Sequence, residues 1–304
     1  MDRRRFLTGV TAAWTLQGRA VGPSRIIDTH THFYDPNRPQ GVPWPGKGDP
    51  VLSRPVLPPE FTRLTAAYGR VGTVVVEASP WLEDNQWLLD LAKANPVIVG
   101  VVGNLDPGAA GFAEHVKRFA ADPMFRGIRV PGSVIVKRID DPGFRDDLKR
   151  LANADLELDA HIGADAFKAI MRIAAEIPNL RIVIDHMPFA KPKRPERRSE
   201  YDRLLKEIGG YRQIYAKVSY VLQAGATVPV PTDLKSHRED LEQVWDCFGA
   251  DRVLYGSNWP VSDLVAPYSA VYGIVQEFFA EKGPEAIEKY FWRNAIAAYR
   301  CVQR

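Results

Sequence analysis

The stretch that decides the fold begins at residue 26 and reads Ile26-Ile27-Asp28-Thr29-His30-Thr31-His32-Phe33. Its apolar start predicts a buried β-strand. Farther along the chain, seven more short runs rich in valine and isoleucine are separated by longer segments with helical periodicity. Such alternation is typical of parallel strands joined by helical crossovers. We therefore predict an α/β protein built on eight parallel strands.

The predicted strands are Ile26–His30, Thr73–Glu77, Ile98–Val102, Gly127–Val130, Leu156–His161, Arg181–Asp185, Ile214–Val218 and Arg252–Tyr255. Nine helices are predicted between residues 59 and 299, most of them in the intervals between strands. Eight parallel strands with intervening helices close most economically into a (β/α)8 TIM barrel, so we expect a single domain over residues 23–304. An open doubly wound sheet is the alternative, but the chain lacks the G-x-G-x-x-G motif that opens a helix in such folds.

Composition argues against some functions. The chain has 304 residues, of which 45% are hydrophobic, and a formal net charge of +3. Residues 1–20 carry that whole excess, through Arg3–Arg5 and Arg19 against Asp2, so the rest of the chain is neutral. A neutral body without a basic stripe argues against nucleic-acid binding. Cys247 and Cys301 are widely separated and predict neither a disulfide framework nor a zinc ribbon.

The first 22 residues differ from the rest of the chain. Asp2-Arg3-Arg4-Arg5-Phe6-Leu7 resembles a twin-arginine export signal, and an apolar stretch over Val10–Leu16 follows it. We expect residues 1–22 to direct export to the periplasm, with a disordered extension of a cytoplasmic protein as the alternative. No later segment has the ~18 or more consecutive apolar residues that span a bilayer.

Histidines gather at the predicted strand ends. His30 and His32 are alternate residues of one strand and therefore project from the same face. His161 ends the fifth strand and His186 follows the sixth, so four of the six histidines lie where barrels of this kind place their catalytic groups. Neutral imidazole is a good ligand for Zn²⁺ and related metals. We predict that these four histidines bind one divalent metal, with zinc as the expected ion.

These histidines, together with Leu254-Tyr255-Gly256-Ser257-Asn258-Trp259-Pro260 on the eighth strand, resemble the amidohydrolase superfamily. More narrowly, the chain resembles the branch of sugar lactonases and 2-pyrone-4,6-dicarboxylate lactonase. The likeness runs from about Ile26 to Trp292 and includes Val76-Glu77-Ala78-Ser79 and Arg126-Gly127-Ile128-Arg129. The resemblance implies a (β/α)8 barrel that hydrolyses lactones or related carboxylic compounds, in some members with zinc and in others without a metal.

One position departs from the family pattern. The eighth-strand motif of the family, G-S-D-W-P, carries an Asp that acts as general base, whereas this chain has Asn258. An amide can orient water but cannot abstract a proton at neutral pH. The base must then be a metal-bound hydroxide, a histidine such as His186, Glu77 at the second strand end, or Asp263 after the eighth strand. Among the carboxylates we favour Asp263, for which a helix N-cap is the alternative role.

Three cations are candidates for holding a substrate carboxylate. Arg126 and Arg129 flank the end of the predicted fourth strand, and Lys217 lies on the seventh. At a barrel mouth an arginine would bind a carboxylate through a bidentate fork. For each of the three, a surface salt bridge is the alternative.

Two long loops are expected to border the site. The loop over residues 33–58 is rich in proline and glycine, contains Trp44 and starts at the histidine pair, so it is expected to shape specificity. The loop Met187–Arg198 carries five cations beside His186 and would attract anions, unless it is only a solvated charge run.

Three functions remain open from the sequence, because fold alone does not fix a reaction. The first, which we favour, is hydrolysis of a lactone or related ester of a small polar or acidic, sugar-acid-like substrate by metal- or base-activated water. The second is decarboxylation or metal-free lactone isomerisation on the same barrel. The third is ligand binding without turnover, because Asn258 replaces the usual Asp. Beyond a small-molecule substrate, a homo-oligomer is a further open possibility.

Deleting residues 1–20 should leave the melting temperature and the far-ultraviolet circular dichroism spectrum nearly unchanged, because this segment precedes the first strand and carries no core periodicity. Thermal denaturation of the full chain and the truncated chain checks this expectation. A large loss of stability would show that the segment packs on the barrel and would argue against the export signal.

Overall fold

All eight predicted strands form, and they pair in chain order as one parallel sheet. The computed structural model describes residues 22–187, 195–222 and 229–304. The strands are β1 (Ile26–Thr31), β2 (Val71–Val76), β3 (Ile98–Gly103), β4 (Phe125–Pro131), β5 (Glu157–His161), β6 (Ile182–Met187), β7 (Ile214–Val218) and β8 (Val253–Tyr255). The proposed export signal, residues 1–22, lies outside the described residues except for Gly22. Residues 188–194, which belong to the predicted loop Met187–Arg198, also lie outside them.

The sheet closes on itself between β1 and the segment that follows β8. The Asn258 amide donates to the His30 carbonyl at 2.9 Å, and the His32 amide donates to the Trp259 carbonyl at 2.9 Å. A parallel bridge joins Thr31 to Trp259. The prediction of a single-domain (β/α)8 TIM barrel is therefore confirmed.

Helices cover the outside of the barrel. They are α1 (Pro58–Thr65), α2 (Leu82–Ala94), α3 (Phe112–Ala120), α4 (Gly132–Arg138), α5 (Pro142–Asn153), α6 (Phe167–Glu176), α7 (Arg198–Ile208), α8 (Arg238–Phe248), α9 (Tyr268–Glu281), α10 (Pro284–Glu288) and α11 (Asn294–Tyr299). The sequence did not predict α4, because Val134-Ile135-Val136 are β-branched residues of low helix propensity and no side chain caps its start. A π-helical turn, Lys289–Arg293, separates α10 from α11, whereas the sequence predicts one helix over about Pro284–Tyr299.

Residues 294–304, here named the plug segment, close the amino-terminal end of the barrel. Ala295, Ala298, Tyr299 and Cys301 pack against apolar side chains inside the barrel, among them Val99. The plug segment also contacts residues at the starts of strands: the Val302 amide donates to the Val99 carbonyl, and Arg181 donates to the Ala298 carbonyl. The plug segment does not cover the carboxyl end of the barrel, so a functional site is expected there.

Membrane insertion through a helix has no support in the part of the chain that the structure describes. Within those residues, no helix combines the length and the apolar character that a bilayer crossing requires.

Candidate active site

The strand ends bring the four predicted histidines side by side. The ring centroids of His30 and His32 are 5.0 Å apart, those of His30 and His186 are 4.4 Å apart, and those of His161 and His186 are 5.2 Å apart. His30 is fully buried, whereas His32, His161 and His186 line the pocket above it. The four imidazoles thus form one continuous cluster.

Three pocket residues adopt the left-handed backbone conformation that non-glycine residues rarely take. The φ angles are 60° at His186, 61° at Tyr220 and 61° at Asn258. Such conformations cost about 1–3 kcal/mol each and persist where surrounding contacts enforce them, often at functional sites. At His186 the strand pleat ends, so that the adjacent Asp185 and His186 both contribute to the cluster instead of facing opposite sides of the sheet.

The pocket above the histidines has a volume of about 580 Å³, which suits a small ligand. Its described lining comprises His32, Trp44, Glu77, Ala78, Ser79, Pro80, Asn104, Arg129, Pro131, His161, His186, Tyr220, Asn258 and Val261. Two aromatic rings contact the histidine cluster: Trp44 lies 5.8 Å from the His32 ring, and Tyr220 lies 5.2 Å from the His186 ring. The loop over residues 33–58 therefore reaches the site through Trp44, as the sequence suggested.

An ion pair forms part of the pocket wall. Arg129 Nε donates to Glu77 Oε1 at 2.8 Å, and Arg129 Nη2 donates to the Glu77 carbonyl at 3.2 Å. Burial acts to lower the pKa of Arg129, but the carboxylates of Glu77, Asp185 and Asp159 together outweigh it, with Glu77 the largest of the three, and the pKa lies above its ordinary value. Arg129 is therefore always charged, and Glu77 compensates its charge.

Burial makes the histidines neutral at physiological pH. It lowers the pKa of His32 to about 3, and the positive charge of Arg129 acts in the same direction. Burial also holds the pKa of His30 and His186 well below its ordinary value and lowers that of His161. Neutral imidazoles can accept hydrogen bonds or bind a metal.

Hydrogen bonds fix two of these rings. His32 Nδ1 lies 3.0 Å from the Val76 carbonyl oxygen, so it carries the proton and donates. His186 Nδ1 lies 3.0 Å from Ser219 Oγ. In both rings this leaves Nε2 for the site, an arrangement typical of metal-binding histidines whose orientation is set by an outer partner.

A divalent metal would fit best at His30, Asp185 and His186. One ligand atom from each of these three buried residues lies within 4.8 Å of the others. His30 Nε2 is buried and has no hydrogen-bond partner within the described chain. This set differs from the four histidines predicted as ligands, because Asp185 replaces His32 and His161. The donor chemistry of two imidazoles and a carboxylate suits zinc and similar ions.

The structure does not bring three of the predicted residues to the pocket. Arg126 lies at the start of β4, because this strand begins two residues earlier than predicted, and its Nη1 donates to the Arg300 carbonyl at the plugged end. Lys217 is fully buried beneath the pocket. Asp263 lies 3.9 Å from Arg54 and bonds to the Trp259 side chain, so this carboxylate is not placed as the base.

Sequence reasoning missed Asp185 and Asp159. Asp185 directly precedes His186, and its position in a strand predicted to be apolar was an available signal. Asp159 lies inside β5, two residues before His161, and is also fully buried.

Comparison with known proteins identifies the class. The family model described as Amidohydrolase matches residues 27–301, and the chain belongs to this family and is a hydrolase. It is 32% identical to an L-fucono-1,5-lactonase of Burkholderia ambifaria over 282 residues, which cover 90% of this chain and 95% of the relative.

Solved structures agree with the barrel. An amidohydrolase from Burkholderia multivorans, solved with bound zinc, is 25% identical with a TM-score of 0.79, covering 91% of this chain and 100% of the other. A protein from Acinetobacter baumannii, described as a probable 2-pyrone-4,6-dicarboxylic acid hydrolase, has a TM-score of 0.75 at 15% identity, covering 90% and 99% of the chains. At that identity the likeness concerns the fold alone.

The burial of His32 predicts an acid-sensitive contribution to stability. Its pKa is about 3 in the folded chain against 6.5 for a free side chain, so below pH 6.5 the unfolded chain binds a proton that the folded chain does not. Its contribution is complete above pH 6.5 and is lost as the pH falls toward 3. Between these values, the free energy of unfolding of wild type, measured in urea, should fall by about 1.4 kcal/mol per pH unit more than that of His32→Gln.

As the control, His115→Gln on α3 should keep the wild-type pH dependence, since that residue lies outside the barrel. Equal slopes for wild type and His32→Gln would show that His32 is not held neutral.

Proposed function

We propose that the protein hydrolyses an uncharged, hydroxyl-rich lactone of the sugar-lactone type. Membership of the amidohydrolase family and the relative that is an L-fucono-1,5-lactonase support lactone hydrolysis. The observation that carries the substrate class is the ion pair between Glu77 and Arg129. Arg129 is the sole arginine or lysine in the described lining of the pocket, and its charge is already compensated.

A neutral lactone suits such a pocket better than a dicarboxylate does. Among the described lining residues no arginine or lysine is left uncompensated to pair with an anion, and burial of a charge without a paired side chain is costly. A sugar lactone needs only hydrogen bonds and apolar contact. Asn104, Asn258 and His161 offer polar groups, and the rings of Trp44 and Tyr220 offer flat surfaces for a sugar ring. This substrate class narrows the earlier expectation, which also allowed acidic lactones.

The reaction adds water to the lactone carbonyl and breaks the ring C–O bond, so that the product is a hydroxy acid. Asn258 can orient the attacking water but cannot take its proton. Glu77 is the carboxylate in the described pocket lining, and we assign to it, instead of Asp263, the acceptance of that proton. We assign to the neutral imidazole of His161, which also lines the pocket, a hydrogen bond to the substrate. A divalent cation at His30, Asp185 and His186, with zinc as our choice, would polarise the carbonyl and lower the pKa of water.

A substrate panel tests the proposed function. Proton release should follow addition of L-fucono-1,5-lactone, with a kcat/KM at least about tenfold above that for 2-pyrone-4,6-dicarboxylate, a discrimination worth about 1.4 kcal/mol. Faster turnover of the dicarboxylate would overturn the neutral substrate class. Release of CO2, or a ligand that raises the melting temperature and is never consumed, would favour the decarboxylase or the binding protein respectively.

Glu77→Gln should increase the affinity for 2-pyrone-4,6-dicarboxylate, because it leaves the Arg129 charge uncompensated. The measurement is the rise in melting temperature with added dicarboxylate, which does not depend on turnover. Glu83→Gln is the matched control, since Glu83 is exposed and pairs with Arg118 on the outer surface. If the Glu77→Gln variant binds the dicarboxylate no more tightly than wild type does, Arg129 does not face the ligand.

Removal of metal distinguishes activation of water by a metal ion from activation by Glu77 alone. We expect chelation to abolish turnover and zinc to restore it, with about one metal per chain found by elemental analysis of unchelated protein. Asn258→Asp and Asp263→Asn should both retain activity, the first because residue 258 only orients water and the second because Asp263 contacts Arg54. Full activity of the chelated protein would refute the metal assignment and make Glu77 the sole source of activation.

A further inference from the structure

Beneath the pocket, Lys217 makes contacts that the proposed reaction does not use. Its ammonium lies 2.6 Å from Asp159 Oδ2, 2.7 Å from Asp185 Oδ1 and 3.3 Å from His30 Nδ1. All four residues are fully buried. The ammonium therefore contacts two side chains of the candidate metal site without reaching the pocket itself.

The ammonium is charged in spite of its burial. Burial acts to lower the pKa of Lys217, but the carboxylates of Asp159 and Asp185 outweigh it and raise the pKa above its ordinary value. A buried charge of this kind is stable only with close partners, and its position follows theirs. Any change in the hydrogen bonds of Asp159 therefore changes where the ammonium lies relative to His30.

Asp159 has a second partner, which comes from the opposite end of the barrel. The hydroxyl of Tyr299 in the plug segment donates to Asp159 Oδ1 at 2.7 Å. The Tyr299 ring centroid also lies 5.4 Å from the Lys217 ammonium. A continuous chain of buried polar contacts thus runs from Tyr299 through Asp159 and Lys217 to His30.

One nitrogen of the His30 ring, Nδ1, contacts both the Lys217 ammonium and the Asp185 carboxylate. It lies 3.3 Å from Lys217 Nζ and 3.4 Å from Asp185 Oδ1, so it either accepts from the ammonium or donates to the carboxylate. A shift of the ammonium therefore changes the contacts of Nδ1 and, with them, the position of the ring.

We propose that Tyr299 is a positioning residue, which acts through Asp159 and Lys217 to hold Asp185 and the His30 ring in the positions that the site requires. With the hydroxyl bond in place, Asp159 shares its negative charge between Tyr299 and Lys217. Without it, Asp159 draws the ammonium toward itself and away from Asp185 and His30. The plug segment thus sets the geometry of the active site from the far end of the barrel.

Tyr299→Phe tests this role, because it removes one hydroxyl and keeps the ring that packs inside the barrel. The kinetic readout rests on the proposed lactone hydrolysis. We expect kcat to fall by about tenfold, the equivalent of one hydrogen bond to a charged group, and KM to stay within about twofold, because Tyr299 does not line the pocket.

Tyr290→Phe is the matched control. Tyr290 is equally buried, but its hydroxyl donates to the Val218 carbonyl at 3.4 Å and does not contact Asp159. Its kcat should equal that of wild type. A wild-type kcat for Tyr299→Phe, or an equal loss in both variants, would overturn the proposal, because the second result would indicate general loosening of the core.

A second readout does not depend on turnover. Nitrogen-15 spectra of the histidine rings report the hydrogen bonding of each ring nitrogen, and the His30 signals can be assigned by their loss in His30→Gln. Tyr299→Phe should shift the His30 signals and leave those of His115 unchanged. Unchanged His30 signals would overturn the role of Tyr299 even if the protein hydrolyses the lactone. Shifted His30 signals in a protein whose wild type does not hydrolyse the lactone would support the role of Tyr299 and refute only the proposed function.

Discussion

A single ammonium group at the centre of the barrel, that of Lys217, is the constraint on which the site depends. Removing such a charge from water costs several kcal/mol, so it must be met by close partners in fixed positions. Those partners come from the neighbouring strands β5 and β6, as Asp159 and Asp185, and from β1, as His30. Because each carboxylate must point inward at the height of the ammonium, the requirement also favours one register of these strands. The histidines above are thereby built on a layer that tolerates little displacement.

The amino-terminal end of the barrel contributes packing, whereas the carboxyl end holds the candidate active site. Apolar side chains of the plug segment fill the amino-terminal end, where they pack against inward-facing residues such as Val99. The carboxyl end holds a pocket with polar walls, and three of its residues have costly left-handed backbones. Between the ends lies the charged layer around Lys217. Strain at the mouth is sustainable because the remainder of the barrel is well packed.

The sequence predicted the features that depend on local periodicity. Eight strands and the gathering of histidines follow from alternation along the chain and from the rule that parallel strands end at the same edge. It could not locate contacts between distant segments. Asp263 contacts Arg54, which lies in a loop more than two hundred residues earlier in the chain. Lys217 is buried because it pairs with Asp159 and Asp185. Asp185 escaped notice because strict alternation places it opposite His186, and only the left-handed backbone at His186 brings both to one site.

The plug segment also has a consequence for biosynthesis. All eight strands precede Tyr299 in the chain, so a ribosome produces every barrel strand before the residue that completes the buried contacts of Asp159. Until residues 294–301 fold into place, the amino-terminal opening admits water, and the ammonium of Lys217 can stay hydrated. Its dehydration can thus follow the pairing of the strands, when every compensating partner is present. A nascent barrel can therefore form its sheet without first burying an unpaired charge.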